Sequence, residues 1–415
     1  MNAQRSPGSL WRQPHFARLW LGQTVSLFGS QITTLALPLT AIVVLQATPQ
    51  EMGVLRAVQT LPLLFFGLFA GAWLDRRRRR PVLIAADLGR ALLLLIIPLA
   101  ATLGRLSIGL ICLVALLAGT LTVFSGIAYQ SLLPTLVGQE RLVEGNGKLE
   151  VGRSLAQILG PGLAGALVQL ITAPLTILFD SVTFLFSAIC LRAIRAEEMV
   201  VVAEEARPSY WQAISEGLRF VLHNRLLRGI AGCTGTDNFF SSILFTVYLL
   251  YLTQELRVDP ATLGLTFTFL GPGALIGALA AERIARVIGV GFSIILGQCL
   301  GAGGVVLILL TTQISSGVVV ALAGAQFLFG IAGPIYNINQ HSISQVITPG
   351  HFLGRMNATM TFIMWSMSSI GALLGGVLGA ALGLQTTLLL GGLGSFLAIL
   401  WLIFSPLASL RERPT

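Results

Sequence analysis

The chain is a succession of long apolar runs divided by short polar ones. A spanning helix takes about 20 mostly apolar residues. By that measure twelve segments qualify: 17–46, 52–74, 82–103, 106–129, 149–171, 174–195, 227–253, 261–284, 291–312, 316–338, 356–382 and 384–406. Pro38, Pro62, Pro98, Pro161, Pro272 and Pro334 fall inside them. They would break helices in water, but neighbours in a bundle re-satisfy the freed backbone. The longest polar stretch, Ala196 to Arg225, lies midway, with six segments on either side. Within it Trp211, Ile214, Leu218, Val221 and Leu222 share one helical face, the pattern of a tether lying on the inner membrane surface. The pattern predicts an all-α membrane protein of twelve transmembrane helices in two pseudo-symmetric six-helix bundles, 1–195 and 227–415. A cytoplasmic linker with an amphipathic helix, 196–226, joins them.

The two halves repeat each other. At a shift of 211 Leu142 meets Leu353, Asn146 meets Asn357, Gly160 meets Gly371 and Gly165 meets Gly376. A shift of 210 aligns Arg18 with Arg228 and Gly22 with Gly232. Matches at corresponding helix ends argue for a duplicated six-helix unit.

Charge sets the orientation. Between two apolar runs lies Gly71-Ala72-Trp73-Leu74-Asp75-Arg76-Arg77-Arg78-Arg79-Arg80-Pro81, and arginine clusters stay on the cytoplasmic side during insertion. With the N-terminus inside, 21 of the 26 basic residues fall on the inner side. The outer loops keep only Arg56, Arg105 and Arg257, while Arg90 and Arg153 sit within helices. Both termini are therefore expected in the cytoplasm, and the membrane is expected to be the bacterial inner one. Composition agrees: 54% of residues are hydrophobic and 10% charged, against roughly 25% charged in soluble domains. The net charge of +9 reads as loop arginines facing anionic lipid rather than a nucleic-acid surface. Met1 to Phe16 has no apolar core ahead of a cleavage site, so the first span is expected to direct insertion. Cys112, Cys190, Cys233 and Cys299 lie far apart inside apolar segments, which speaks for buried thiols rather than disulfides or zinc.

The Gly71–Arg80 run resembles the loop signature of the major facilitator superfamily, Gly-x-Leu-Ala-Asp-Arg-x-Gly-Arg-Lys. Trp73 replaces the leucine and Arg78 the second glycine, whereas Gly71, Asp75, Arg76, Arg79 and basic Arg80 keep the pattern. A second family signature, linked to antiporters, runs Gly-x8-Gly-x3-Gly-Pro-x2-Gly-Gly. Gly147, Ala156, Gly160, Pro161, Ala164 and Gly165 occupy those positions, two of them as alanine. The resemblance covers the whole chain and is nearest to the drug- and siderophore-export branch, with macrolide-efflux and enterobactin-exporter-like proteins. It implies alternating access, with Asp75 and its arginines as a latch between states. In the second half Glu282 and Arg283 form a faded counterpart.

Charges inside spans are functional candidates because burying them is expensive. Asp87 and Arg90, and again Glu150 and Arg153, are spaced three apart and are expected to neutralise each other. Asp180 is expected to be structural. Asp237 lies about 15 Å into its helix at 1.5 Å per residue, with no basic residue within a turn. It is the leading candidate for proton coupling, with Glu150 behind it. The alternative is an aspartate satisfied by Thr234, Thr236 or Asn238. Candidate cavity residues are Gln23, Gln31, Tyr129, Gln157, Tyr336, Asn337, Asn339, Gln340, Asn357 and Trp365. The four histidines lack metal-ligand spacing, and no phosphate-cradling loop or nucleophile elbow is present. The expectation is no enzyme, no cofactor and no metal. The chain is expected to be a monomeric proton-coupled antiporter exporting an amphipathic small molecule, its partners being substrate, protons and the lipid bilayer. A proton-coupled nutrient importer and a non-transporting sensor or assembly partner are the rivals.

Overall fold

The computed structural model describes residues 10–74, 77–194, 210–311, 313 and 317–409. Among them there are helices and turns but no strand. The first six long helices are α1 (Pro14–Leu39), α2 (Pro49–Leu74), α3 (Arg79–Thr102), α4 (Ile108–Val137), α5 (Leu142–Ile171) and α6 (Ala173–Arg192). A shorter α7 (Tyr210–His223) leads into α8 (Arg225–Leu250). There follow α9 (Pro260–Thr268), α10 (Leu270–Ile288), α11 (Val290–Leu310), α12 (Val318–Val346), α13 (Leu353–Leu382) and α14 (Leu384–Ile403). Taking α9 and α10 together, ten helices among the described residues are long and apolar enough to cross a membrane. The two others, α2 and α8, are each 26 residues long, which completes twelve long helical rods.

The helices outrun the apolar segments. α4 continues to Val137, α5 begins at Leu142 and α12 continues to Val346, because backbone bonding does not stop where hydropathy does. The segment expected over 261–284 is broken at Phe269, since Pro272 has no N–H to offer the Thr268 carbonyl.

The chain divides into two compact units, Met1–Leu37 with Phe65–Glu205 and Pro38–Leu64 with Ala206–Thr415. In the first, Phe16, Leu19, Leu74, Leu83, Leu132 and Leu191 belong to one buried apolar cluster. In the second, Val221, Leu227, Ile230, Ile294, Met356 and Leu402 do the same. The second unit is closed by backbone contact. A Cβ on Gly371 of α13 would stand 3.0 Å from the Phe239 carbonyl carbon of α8. Between α10 and α12, a Cβ on Gly330 would stand 2.9 Å from the Gly273 Cα. Small residues bring helices close where lipid gives no hydrophobic drive. The linker helix α7 docks on α13: Glu216 pairs with Arg355 at 2.7 Å, and Phe220 stacks on Phe352 at 5.1 Å. It is bound to protein on that side, which a free surface tether would not be.

The repeat reappears in backbone detail. α1 and α8 both end in a five-residue π-helical turn, Thr40–Val44 and Tyr251–Glu255. The Ala47 N–H donates to the Ala41 carbonyl and the Val258 N–H to the Leu252 carbonyl, both at 2.9 Å. Gln46 and Arg257 share a positive φ, 50° and 52°. Thr48 and Asp259 then start the next helices, each ahead of a proline. Every one of these pairs is 211 residues apart. At the Asp259 cap the Thr262 hydroxyl and N–H hold the carboxyl below its usual range.

Candidate transport site

Helix α5 presents its small residues to α1. A Cβ on Gly152 would meet the Thr24 side chain at 3.3 Å, and one on Gly160 would meet Gln31 Cγ at 3.0 Å. Ala156 and Ala164, one turn from each, are fully buried. The contact stripe is therefore 152, 156, 160 and 164. Gly152 was absent from the sequence candidates, and Gly147, which was among them, is exposed with nothing within 4 Å of a Cβ. Pro161 and buried Gly165 lie beside the stripe in α5. Gln31 is partly committed to this packing, while Gln23 and Gln157 are half-buried. Tyr129 of α4 buries its hydroxyl without a hydrogen-bond partner.

The first unit also holds a closed charge cluster. Arg90 pairs with Asp87 through one terminal nitrogen, which also donates to Ser125 Oγ at 3.0 Å. Its Nε reaches the Ala86 carbonyl at 3.4 Å, and the guanidinium lies 4.1 Å over the Phe184 ring. Asp180 is 2% exposed and accepts from the Thr183 hydroxyl at 3.3 Å. Glu150 and Arg153 behave differently. Both are exposed and form no ion pair; with no protein burial to force them together, the expected pair does not form.

Of the arginine loop, Asp75 and Arg76 lie outside the described residues, and Gly71 falls in α2. Arg77 stacks over Trp73 at 5.3 Å. Arg80 donates to the Leu191 and Arg192 carbonyls at 2.9 and 2.6 Å, and Arg18 to the Ala193 carbonyl at 2.6 Å. Two arginines thus satisfy the open carbonyl end of α6. Glu282 pairs with Arg286 along α10 at 2.8 Å; Arg283 beside it is exposed.

In the second unit a cavity of about 390 Å³ opens between α8, α11, α12 and α13. Asp237 stands in its wall and accepts from Gln298 Nε2 at 2.7 Å. The three neighbours expected to satisfy Asp237 are otherwise engaged. Asn238 donates to the Thr234 carbonyl, Thr234 Oγ1 shares a hydrogen bond with the Tyr336 hydroxyl, and Thr236 accepts from Trp401. The partners are instead Gln298 of α11, 61 residues on, and Ser241, one turn along α8. Tyr336, Asn337 and Gln340 line the same cavity. Asn339, 1% exposed, turns back to the Ile335 carbonyl at 2.9 Å. Asn357 is exposed and Trp365 half-buried, both outside this cavity. Sequence reasoning missed Gln298, His341, Phe329, Met360 and Met364, all of which line it. Gln298 had a signal, a lone amide in an apolar span. No arginine or lysine lines the cavity. Among the described residues no three His, Cys, Asp or Glu side chains are placed to share a metal ion.

The whole architecture has counterparts. The family model for transmembrane secretion effectors matches residues 5–414. The chain belongs to the transmembrane secretion effector family. It is 29% identical over 401 residues to the multidrug efflux pump Tap of Mycolicibacterium fortuitum, covering 92% of this chain and 93% of that one. It is 27% identical over 407 residues to the enterobactin exporter EntS of Salmonella typhi, covering 97% and 95%. Among solved structures, a bacterial homologue of the iron transporter ferroportin superposes with a TM-score of 0.77 at 18% identity, covering 97% of this chain and all of that one. The nucleoside transporter NupG gives 0.73 at 11% identity, with 94% and 98% covered. These likenesses share a fold, that of the major facilitator superfamily. This secretion-effector family member is a multispanning membrane transporter and not an enzyme.

Proposed function

We propose that this transporter exports an amphipathic small molecule in exchange for protons, with Asp237 as the proton-coupling group. The observation that carries the reading is the setting of Asp237. One carboxyl, held by the neutral Gln298 amide at 2.7 Å and by the Ser241 hydroxyl, faces a cavity lined by aromatic, thioether and amide side chains and His341, and by no arginine or lysine. A carboxyl without a fixed cation exchanges a proton without breaking an ion pair, which a coupling group must do. The names of the curated relatives, a multidrug pump and a siderophore exporter, support export. The stripe Gly152–Ala164 lets α5 and α1 pack as one rigid pair, as alternating access requires of its moving bodies. We further assign the chain to the inner membrane as a monomer with both termini cytoplasmic, built of six-helix bundles 1–195 and 227–415 joined by 196–226.

The test uses proteoliposomes holding the purified protein and a fluorescent amphipathic dye. An imposed proton gradient drives dye uphill through the wild type, and an uncoupler abolishes this. Asp237→Asn loses uphill transport but keeps downhill exchange, while Asp237→Glu retains part of both. Uphill, uncoupler-sensitive transport by Asp237→Asn defeats the assignment and moves it to Glu150.

A further inference from the structure

A second, larger groove lies on the surface of the second unit, between α8 and α14, with a volume of about 960 Å³. Its composition is graded. At one end stand Arg225 and Arg228, both exposed, neither in an ion pair, and no acidic residue lines the groove. They are three apart at the start of α8 and so share one face. Asn224 caps this helix start, its Oδ1 accepting from the Leu226 and Leu227 N–H groups. Ser405 lies level with them, 2.7 Å from where a Gly229 Cβ would be. From Phe404, beside Ser405, the wall runs down through Trp401 and Leu400 to Leu397, about two turns deeper. Phe404 is 84% exposed, and among the described residues little covers it.

The wall is built rather than incidental. The Trp401 indole lies on the Cα of Gly232, where a Cβ would stand 2.8 Å from Cε2. Its Nε1–H donates to Thr236 Oγ1 at 3.0 Å, which fixes the ring. From Arg228 to Thr236 the groove runs about 12 Å at 1.5 Å per residue. Two guanidinium groups at the rim and an apolar trough below them match an anionic phospholipid, headgroup phosphate above and acyl chain beneath. Guanidinium binds phosphate through paired hydrogen bonds, and the helix N-terminus adds favourable dipole.

The geometry points to a specific site for an anionic phospholipid in this groove, its phosphate held by Arg225 and Arg228 and one acyl chain lying along Leu400, Trp401 and Phe404. The leaflet follows from the proposed topology and would be the cytoplasmic one. The binding itself is independent of that topology and of the export reading.

The experiment measures lipid retention by native mass spectrometry on the full-length protein in detergent, titrated with phosphatidylglycerol or phosphatidylcholine of the same chains. The wild type is expected to hold phosphatidylglycerol preferentially. Each surface arginine contributes about a fivefold preference, so Arg225→Gln with Arg228→Gln lowers it about 30-fold. Phe404→Ser weakens both lipids alike. Equal retention of the two lipids by the wild type overturns the proposal, as does a preference that survives the double variant. Inorganic phosphate displacing phosphatidylglycerol overturns it too, by making the site one for a free anion. If the double variant does not fold, Arg228→Gln alone carries the test, with Arg228→Lys expected to keep most of the preference.

Discussion

Replacing Arg90 by methionine tests the charge cluster of the first unit most sharply. Asp87, Arg90 and Asp180 are 3%, 8% and 2% exposed, and they bring two carboxyls to one guanidinium. Removing the guanidinium leaves both carboxyls without a cation, and an uncompensated buried charge costs about 3–5 kcal/mol. Asp87→Asn is milder. Asp180 remains to balance Arg90, and the asparagine oxygen still accepts, so the loss is about 1–3 kcal/mol from weakened hydrogen bonding. Adding Asp87→Leu to Arg90→Met removes one of the two stranded carboxyls, so the double variant should regain part of the loss. The assay is the denaturation of purified variants in detergent, read by tryptophan fluorescence. Two outcomes refute the argument: Asp87→Asn costing as much as Arg90→Met, or the double variant costing the sum of the two singles. Either would mean that the three groups do not share one electrostatic account.

Reporters fused after Thr415 should read cytoplasmic and those beside Arg105 or Arg257 periplasmic; a periplasmic C-terminus would imply an odd number of spans. Asp75→Asn should impair transport without lowering membrane abundance, whereas Arg77→Gln should matter less; normal transport by Asp75→Asn would leave the loop as a topology signal alone. Gly371→Val should destabilise by at least ~1–3 kcal/mol, because its side chain must enter the backbone contact with Phe239. Gly147→Val, at an open position, should be near neutral in the same unfolding assay.

The long helices were legible because apolar runs of about 20 residues have few other uses. Their ends were not, since α4 and α12 carry on through polar residues where only backbone bonding sustains them. The break at Phe269 came from Pro272, which in other helices here is tolerated; Pro334 sits inside an unbroken α12. Which proline breaks a helix depends on neighbours that the local sequence does not name. The duplication was visible in glycines and asparagines. Its exact register, though, is written in backbone geometry, such as the left-handed Gln46 and Arg257, that no residue type announces. For the site, Asp237 stood out as a lone charge, yet its partner Gln298 is a residue of another helix, and pairing across helices is a product of packing. Glu150 and Arg153 show the reverse: ideal local spacing without a pair, because the protein buries neither.

The two membrane-embedded acidic systems are built for opposite purposes. In the first unit Arg90 is surrounded by acceptors and a ring, with Asp87, Ser125, the Ala86 carbonyl and Phe184 all committed to it. Moving a proton there would strand a charge, so this cluster resists change and ties α3 to α4 and α6. In the second unit Asp237 has two neutral hydrogen-bond donors, Gln298 and Ser241, and an open cavity before it. Gaining or losing a proton there rearranges contacts to neutral groups only, the Gln298 amide and the Ser241 hydroxyl. A transporter that couples movement to protons needs both kinds of site: one to keep a bundle rigid, one to register the proton. The contrast in partners, rather than in depth, therefore singles out Asp237. It also predicts how the residues respond to isosteric amides. Asp87→Asn should be read out chiefly as stability at unchanged coupling, and Asp237→Asn chiefly as coupling at unchanged stability. Measuring both quantities on both variants decides the matter, and exchanged phenotypes would reverse the assignment.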